Sequence, residues 1–142
     1  MQIRDILASK GTAVATIASS ARALDAVAEL RNRGIGALVV SGDGRAVDGI
    51  VSERDVVHAL ADHGAQLPDT PVRELMTASV TTCTPLDDVN DVLRTMTTGR
   101  FRHVPVVEDG GLRALVSIGD LVKARIEDLE HERAVLHDYV SG

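Results

Sequence analysis

Blocks of apolar and polar residues follow one another along the chain in an order that occurs twice. Val14-Ala-Thr-Ile17 matches Val80-Thr-Thr-Cys83, and Leu24-Asp-Ala-Val-Ala-Glu-Leu30 matches Asn90-Asp-Val-Leu-Arg-Thr-Met96. Ile35-Gly-Ala-Leu-Val-Val40 matches Phe101-Arg-His-Val-Pro-Val106, again 66 residues on. After one residue of slippage, Gly49 to Asp55 matches Ala114 to Asp120, and the opening Ile3-Arg-Asp-Ile-Leu7 echoes Val72-Arg-Glu-Leu-Met76. A fixed long period of this kind marks a duplicated supersecondary unit. The division expected is a first repeat over 1–66, a second over 67–129 whose copied elements start near Pro71, and a terminal extension over 130–142.

Each copy predicts the order βαββα. A short strand comes first (about Ala13–Ile17 and Val80–Cys83). A helix follows, with apolar positions Leu24, Val27, Ala28 and Leu30 in one copy and Val89, Val92, Leu93 and Met96 in the other. Ser19 or Ser20 is the expected cap of the first helix, and Asp87 or Thr84 of the second. Gly34 and Gly99 stand where these helices should stop. Two strands follow, at Ala37–Ser41 and Val47–Val51, then at His103–Glu108 and Leu112–Ser117. Gly42-Asp-Gly44 and Asp109-Gly-Gly111 supply the turns between them. A closing helix starts at Ser52 or Glu53 and, in the copy, at Ile118 or Gly119. Gly64 to Pro71, with two prolines, is the connector. A unit of ~60 residues buries too little surface to be comfortable alone. The expected fold class is therefore α/β (α+β): two pseudo-symmetric repeats packed through their sheets, with a cleft between them.

The last helix outgrows its counterpart and should run from about Asp120 to Tyr139. Val122, Ile126, Leu129, Leu136 and Val140 trace a heptad-like seam along it. That seam could lie on the chain's own body or against a partner chain.

Composition narrows the partners. Apolar residues make up 44% of the chain with a single Tyr, a single Phe and no Trp, so Val, Ile, Leu and Ala must build the core. The net charge of −6 lacks the cationic surplus that nucleic acid demands, so no nucleic-acid partner is expected. The stretch Met1 to Lys10 holds no signal-peptide core, and no segment approaches the ~20 apolar residues of a membrane span. With Cys83 the lone cysteine, no internal disulfide can form, and a cytoplasmic setting is expected.

The chemistry sits in the third shared block. Val51-Ser52-Glu53-Arg54-Asp55 and Val116-Ser117-Ile118-Gly119-Asp120 each end a strand on Ser and place Asp in the first turn of the next helix. Hydroxyl and carboxylate side by side can hold a vicinal diol such as that of ribose, beside helix amides that favour an anion. The same spacing also makes a plain capping box. Its recurrence at one place in both repeats favours the diol reading.

With Gly49 to Asp55 as strand-end signature and His103-Val-Pro-Val-Val107 as second string, the chain resembles the CBS-domain family, and the pair resembles a Bateman module. Ala114 stands where that signature often has Gly, and Val39 where the second string has Pro. The resemblance implies ribose clamps at Ser52 with Asp55 and Ser117 with Asp120. It implies an adenine edge along Val14 to Ile17 and Val80 to Thr84, with Thr16, Ile17 and Thr82 at the ligand and Pro105 close by. Arg54, Arg100, Arg102 and His103 are the candidate phosphate contacts. The ligand implied is AMP, ADP, ATP or a related adenosyl compound, with no cofactor required.

Other chemistries do not assemble. No glycine-rich phosphate loop is present. The five histidines have no zinc spacing, and Ser52 and Ser117 lack an elbow motif or an evident base. Asp87-Asp88 reads as a helix start and Cys83 as a small core residue. The expectation is a non-enzymatic regulatory module, as a homodimer, read by a separate effector protein. The competing expectation is a structural adaptor with a vestigial cleft.

Overall fold

The computed structural model describes residues 1–141. In chain order it holds helix α1 (Ile3–Lys10), strand β1 (Thr16–Ile17), α2 (Ala23–Arg33), β2 (Ala37–Val40), β3 (Gly49–Ser52) and α3 (Glu53–His63). A 3-10 turn at Gly64–Asp69 leads to α4 (Val72–Leu75), α5 (Val89–Gly99), β4 (His103–Glu108), β5 (Gly111–Ser117) and the 24-residue α6 (Ile118–Ser141). Strand β1 runs parallel to β2, β3 runs antiparallel to β2, and β4 and β5 form an antiparallel pair with a bulge at Val106/Val107.

The repeat survives in the hydrogen bonding. Ile17 pairs with Val40, and Cys83 pairs in the same parallel sense with Val106, both partners displaced by 66 residues. The expected strand at Val80–Cys83 shrinks to that single rung, and the one at Ala13–Ile17 to two residues. Ahead of these rungs the pairing thins out: Ala15 O still accepts from Val39 N at 3.3 Å, and Ala13 and Val14 before it border a cleft. The third expected strand starts at Gly49, two residues later than Val47.

Each repeat lends its opening helix to the other. Ile3, Ile6 and Leu7 of α1 belong to one core with Cys83, Val89, Val92, Met96, Val104, Val106, Ala114, Val116 and Leu121 of the second repeat. Val72 and Leu75 of α4 join Ala23, Ala26, Leu30, Leu38, Val40 and Val51 of the first. The exchange is bonded in matching fashion. Ile3 N donates to Asp87 O at 2.9 Å and Val89 N to Met1 O at 3.0 Å. Val72 N donates to Ala21 O at 2.7 Å and Ala23 N to Thr70 O at 2.8 Å. A four- or eight-residue helix is not stable alone; each large side chain it buries contributes ~1.5–3 kcal/mol. The helix at the head of each repeat therefore forms because the neighbouring core receives it.

The sheets use both faces, as period-two alternation requires. Leu38 and Val40 join the core of their own repeat, while Ala37 and Val39 project oppositely and are just as fully buried. Leu112 N donating to Arg45 O (2.7 Å) and the paired backbones of Ile50 and Thr77 tie the halves together.

Helix details depart from expectation. α2 buries Ala23, Ala26 and Leu30, while Leu24, Val27 and Ala28 are exposed. Two alanines let its axis approach the sheet, so the buried stripe sits one residue off the one the bulky residues suggest. Neither Ser19 nor Ser20 caps it. Arg22 holds that position, its amide donating to Asp25 Oδ2 at 3.1 Å. Asp88, not Asp87 or Thr84, caps α5, accepting from the amides of Asn90 (3.0 Å) and Asp91 (3.3 Å). Gly34 does end α2 in the left-handed conformation, whereas after Gly99 that conformation falls to Arg100 (φ 57°). In α6 only Leu121 is buried, and Val122, Ile126, Leu129, Leu136 and Val140 are all exposed, so the seam does not lie on the chain's own body.

Candidate functional site

Both Ser-x-x-Asp elements form the capping box. Ser52 caps α3: its amide donates to Asp55 Oδ2 at 2.8 Å, its hydroxyl to the same oxygen at 3.0 Å, and the Asp55 amide returns to Ser52 Oγ at 3.3 Å. Ser117 N donates to Asp120 Oδ2 at 2.9 Å and Asp120 N to Ser117 Oγ at 3.1 Å. Each box also lines a cleft, so capping does not withdraw it from solvent. The box fixes the rotamer of each aspartate, and among the described residues no protein donor takes Asp55 Oδ1 or Asp120 Oδ1.

Two clefts flank the plane between the repeats. The first, about 410 Å³, takes Ile50, Ser52, Glu53, Arg54 and Asp55 from the first repeat. Its opposite wall comes from the second repeat: Thr77, Ser79 to Thr81, and Gly99 to His103. The second cleft, about 370 Å³, inverts this origin, with Ser117, Asp120 and Leu115 facing Lys10, Ala13 to Ala15 and Gly34 to Ala37. The clamp of each repeat thus faces the leading segment of the other.

The sequence-nominated residues divide. Ser52, Asp55, Arg54, Arg100, Arg102 and His103 meet in the first cleft, and Ser117 and Asp120 in the second with His103 again. Thr16, Ile17, Thr82 and Pro105 line neither. Thr16 and Ile17 are committed to β2 through Val39 and Val40. Thr82 is exposed just beyond the wall, and Pro105 is buried in β4 opposite Leu115. The lining backbone lies one to three residues earlier, at Ala13–Ala15 and Ser79–Thr81, before strand pairing begins.

Lys10, Gly36, Glu53, Thr77 and Phe101 escaped the sequence reading. Lys10 falls where the offset between copies changes from 69 (Ile3 to Val72) to 66 (Val14 to Val80), so repeat comparison steps over it. Gly36 and His103 face each other at the centre and border both clefts.

Electrostatics separate the two clefts. The first is lined by three arginines, and Arg54 reaches across the repeats to Arg100 O at 3.5 Å. In the second, Lys10 Nζ sits 3.0 Å from Asp120 Oδ2. Burial opposes ionisation of Asp120, but the Ser117 amide and the Lys10 ammonium together outweigh it and hold the carboxyl below its usual range. Burial lowers the pKa of His103. The carboxylates of Asp120 and Glu53 pull it up but do not overcome burial, which Lys10 and Arg102 reinforce. Among the described residues no cluster of His, Cys, Asp and Glu could hold a metal ion, and no helix is long and apolar enough to cross a membrane.

Paired βαββα units with a Ser-x-x-Asp element opening on each inter-repeat cleft define a tandem-repeat module of the α/β class. The CBS-domain profile matches residues 3–62 and 72–127, and the chain belongs to the CBS-domain family. It is similar to a crystal structure of a CBS-domain-containing protein from Agrobacterium tumefaciens (TM-score 0.85, 41% identity, 88% of this chain and 99% of that one). It is also similar to the CBS domain pair of protein MJ0100, solved in complex with 5-methylthioadenosine and S-adenosyl-L-methionine (TM-score 0.78, 25% identity, 90% and 98%). Among curated sequences it is 36% identical to the mitochondrial CBS domain-containing protein CBSX3 of Arabidopsis thaliana, over 83% of this chain. The chain spans 59% of that relative's length, and 62% of that of a 17.7 kDa protein of Acidianus ambivalens to which it is also 36% identical.

Proposed function

We propose that this CBS pair is a regulatory module that binds an adenine nucleotide (AMP, ADP or ATP) in its first cleft. The observation that carries the reading is the meeting of one diol clamp, Ser52 with Asp55, and three arginines, Arg54, Arg100 and Arg102, along a single cleft of about 410 Å³. That volume suits a small-molecule ligand, for which sites of ~300–1,000 Å³ are usual. Asp55 accepts the ribose hydroxyls and the arginines take phosphate oxygens. Ile50, Phe101 and the backbone of Thr77 to Thr81 offer the base a partly apolar slot. The adenosyl ligands of MJ0100 support the adenosine part of this reading. The arginines favour a phosphorylated tail over a cationic sulfonium.

The module binds its ligand without turning it over: the carboxylate beside each clamp serine is engaged by the amide at the helix start, Asp55 Oδ2 by Ser52 N and Asp120 Oδ2 by Ser117 N, and serves as a diol acceptor. It works in the cytoplasm as a homodimer. The exposed apolar residues Leu24, Val27, Val57 and Leu60 on α2 and α3, with Ile126, Leu129 and Leu136 on α6, supply the mating faces. Nucleotide occupancy alters the angle between repeats or subunits, and an effector protein reads it. The same stripe on α6 favours the alternative, an adaptor with a vestigial cleft.

Isothermal titration calorimetry with AMP, ADP, ATP, NADH and S-adenosylmethionine decides between them. Heat with a phosphorylated adenosine that is lost in Asp55→Ala is the expected result. A silent titration with every ligand leaves the adaptor.

A further inference from the structure

The repeat symmetry makes the two clamps look interchangeable, and their surroundings make them different. In the first cleft, among the described residues, the only groups donating to the Asp55 carboxylate are the amide and hydroxyl of Ser52. In the second, Asp120 Oδ2 carries the Ser117 amide at 2.9 Å and the Lys10 ammonium at 3.0 Å. The lysine is placed there by the fold. Ile3, Ile6 and Leu7 anchor α1 in the core of the second repeat, which brings the last residue of α1 to the first turn of α6. The counterpart helix α4 is only four residues long and contributes no residue to the lining of the first cleft, where Ser79 occupies the wall that Lys10 holds in the second.

We infer that Lys10 is an internal competitor for the second clamp, so that the two clefts are unequal nucleotide sites filled in order, the first before the second. The inference rests on the nucleotide-binding reading given above. A ribose diol must displace the ammonium from Asp120 or share the carboxylate with it. The ion pair is only about one-third exposed (35% for Lys10, 28% for Asp120). Ion pairs near the surface are weak, so the handicap amounts to about two- to fivefold in affinity. Among the described residues the second cleft also has no arginine on its wall to recover that loss through a phosphate.

Calorimetric titration of the full chain with ADP tests this. The wild type should show one tighter and one weaker step per chain. Asp55→Asn should remove the tighter step and Asp120→Asn the weaker. Lys10→Gln should tighten the weaker step about two- to fivefold and leave the tighter one unchanged. Thermal melts of each variant confirm folding, and Lys10→Met serves as a second uncharged variant. Two equal steps in the wild type overturn the inference, as does a single step in both wild type and Lys10→Gln. Weaker second-site binding in Lys10→Gln also overturns it, since Lys10 would then hold the ligand. Silence in every variant overturns the nucleotide reading itself, whereas binding at two equal sites leaves that reading standing.

Discussion

Gly36 and the ring of His103 meet across the boundary between the repeats so tightly that a Cβ at position 36 would lie 3.2 Å from both Cε1 and Nε2. The pair borders both clefts at once. Gly36→Ala must push the imidazole a few tenths of an ångström toward one cleft. Calorimetry should show nucleotide affinity falling in both, with stability reduced by about 1 kcal/mol, the low end of overpacking costs.

The glycine of the strand-end signature has a steric cause. A Cβ on Gly49 would stand 2.6 Å from Met76 Sδ and 3.0 Å from the Thr77 carbonyl oxygen, where the two repeats pair through Ile50 and Thr77. The methionine can move, but the carbonyl is fixed by that pairing. Gly49→Ala should cost about 1–3 kcal/mol, read as a lower urea midpoint at unchanged slope. Ala114 fills the matching position in the second repeat and is buried in its core.

His103 should make stability depend on pH. Its folded pKa lies below the ordinary histidine value of 6.5 because burial disfavours the charged ring. The unfolded chain then binds more protons than the native state between the two values. The contribution is complete above pH 6.5 and is lost as pH falls below it toward the folded value. Denaturation midpoints should therefore drop on acidification through that window, and His103→Gln should flatten the drop. An identical pH profile in the variant would sink the prediction.

Cys83 should be inert in the native protein. Burial, aided by the charge of Asp87, pushes its thiol up to about 12. A thiol-reactive disulfide reagent at pH 8 should modify no cysteine in native protein and one in guanidinium. Rapid native labelling would show that the core around Val89 and Val106 opens.

The α6 seam should carry self-association. Leu129 (45% exposed) and Leu136 (65%) lie on it outside both cores. Leu129→Glu combined with Leu136→Glu should leave the melting transition of the repeats nearly unaltered and shift sedimentation from dimer to monomer. An unchanged sedimentation coefficient would remove α6 from the interface.

The architecture was legible because one offset of 66 residues governs Ile17, Val40 and their copies Cys83 and Val106, which occupy the same rung. The helical face of α2 was not, because apolarity alone points to Leu24 and Val27, whereas close approach to the sheet selects Ala23 and Ala26. Nor was the exchange of α1 and α4, since Ile3-Arg-Asp-Ile-Leu7 reads the same whichever core receives it. At the clefts, a hydroxyl and a carboxylate three residues apart can be read locally. The walls cannot, because they depend on where β-pairing begins, and that left Thr16, Ile17, Thr82 and Pro105 outside. Lys10 lies outside the copied blocks and reaches Asp120 only through tertiary structure.

The traded helices have a consequence for the half-molecule. Cut within the turn at Gly64–Asp69, each fragment would keep a head helix shaped for the other fragment's interior and miss the one its own interior requires. A lone repeat could satisfy itself only by meeting a second copy and swapping heads with it. The tandem chain thus has the form of a domain-swapped pair whose two members have been joined end to end.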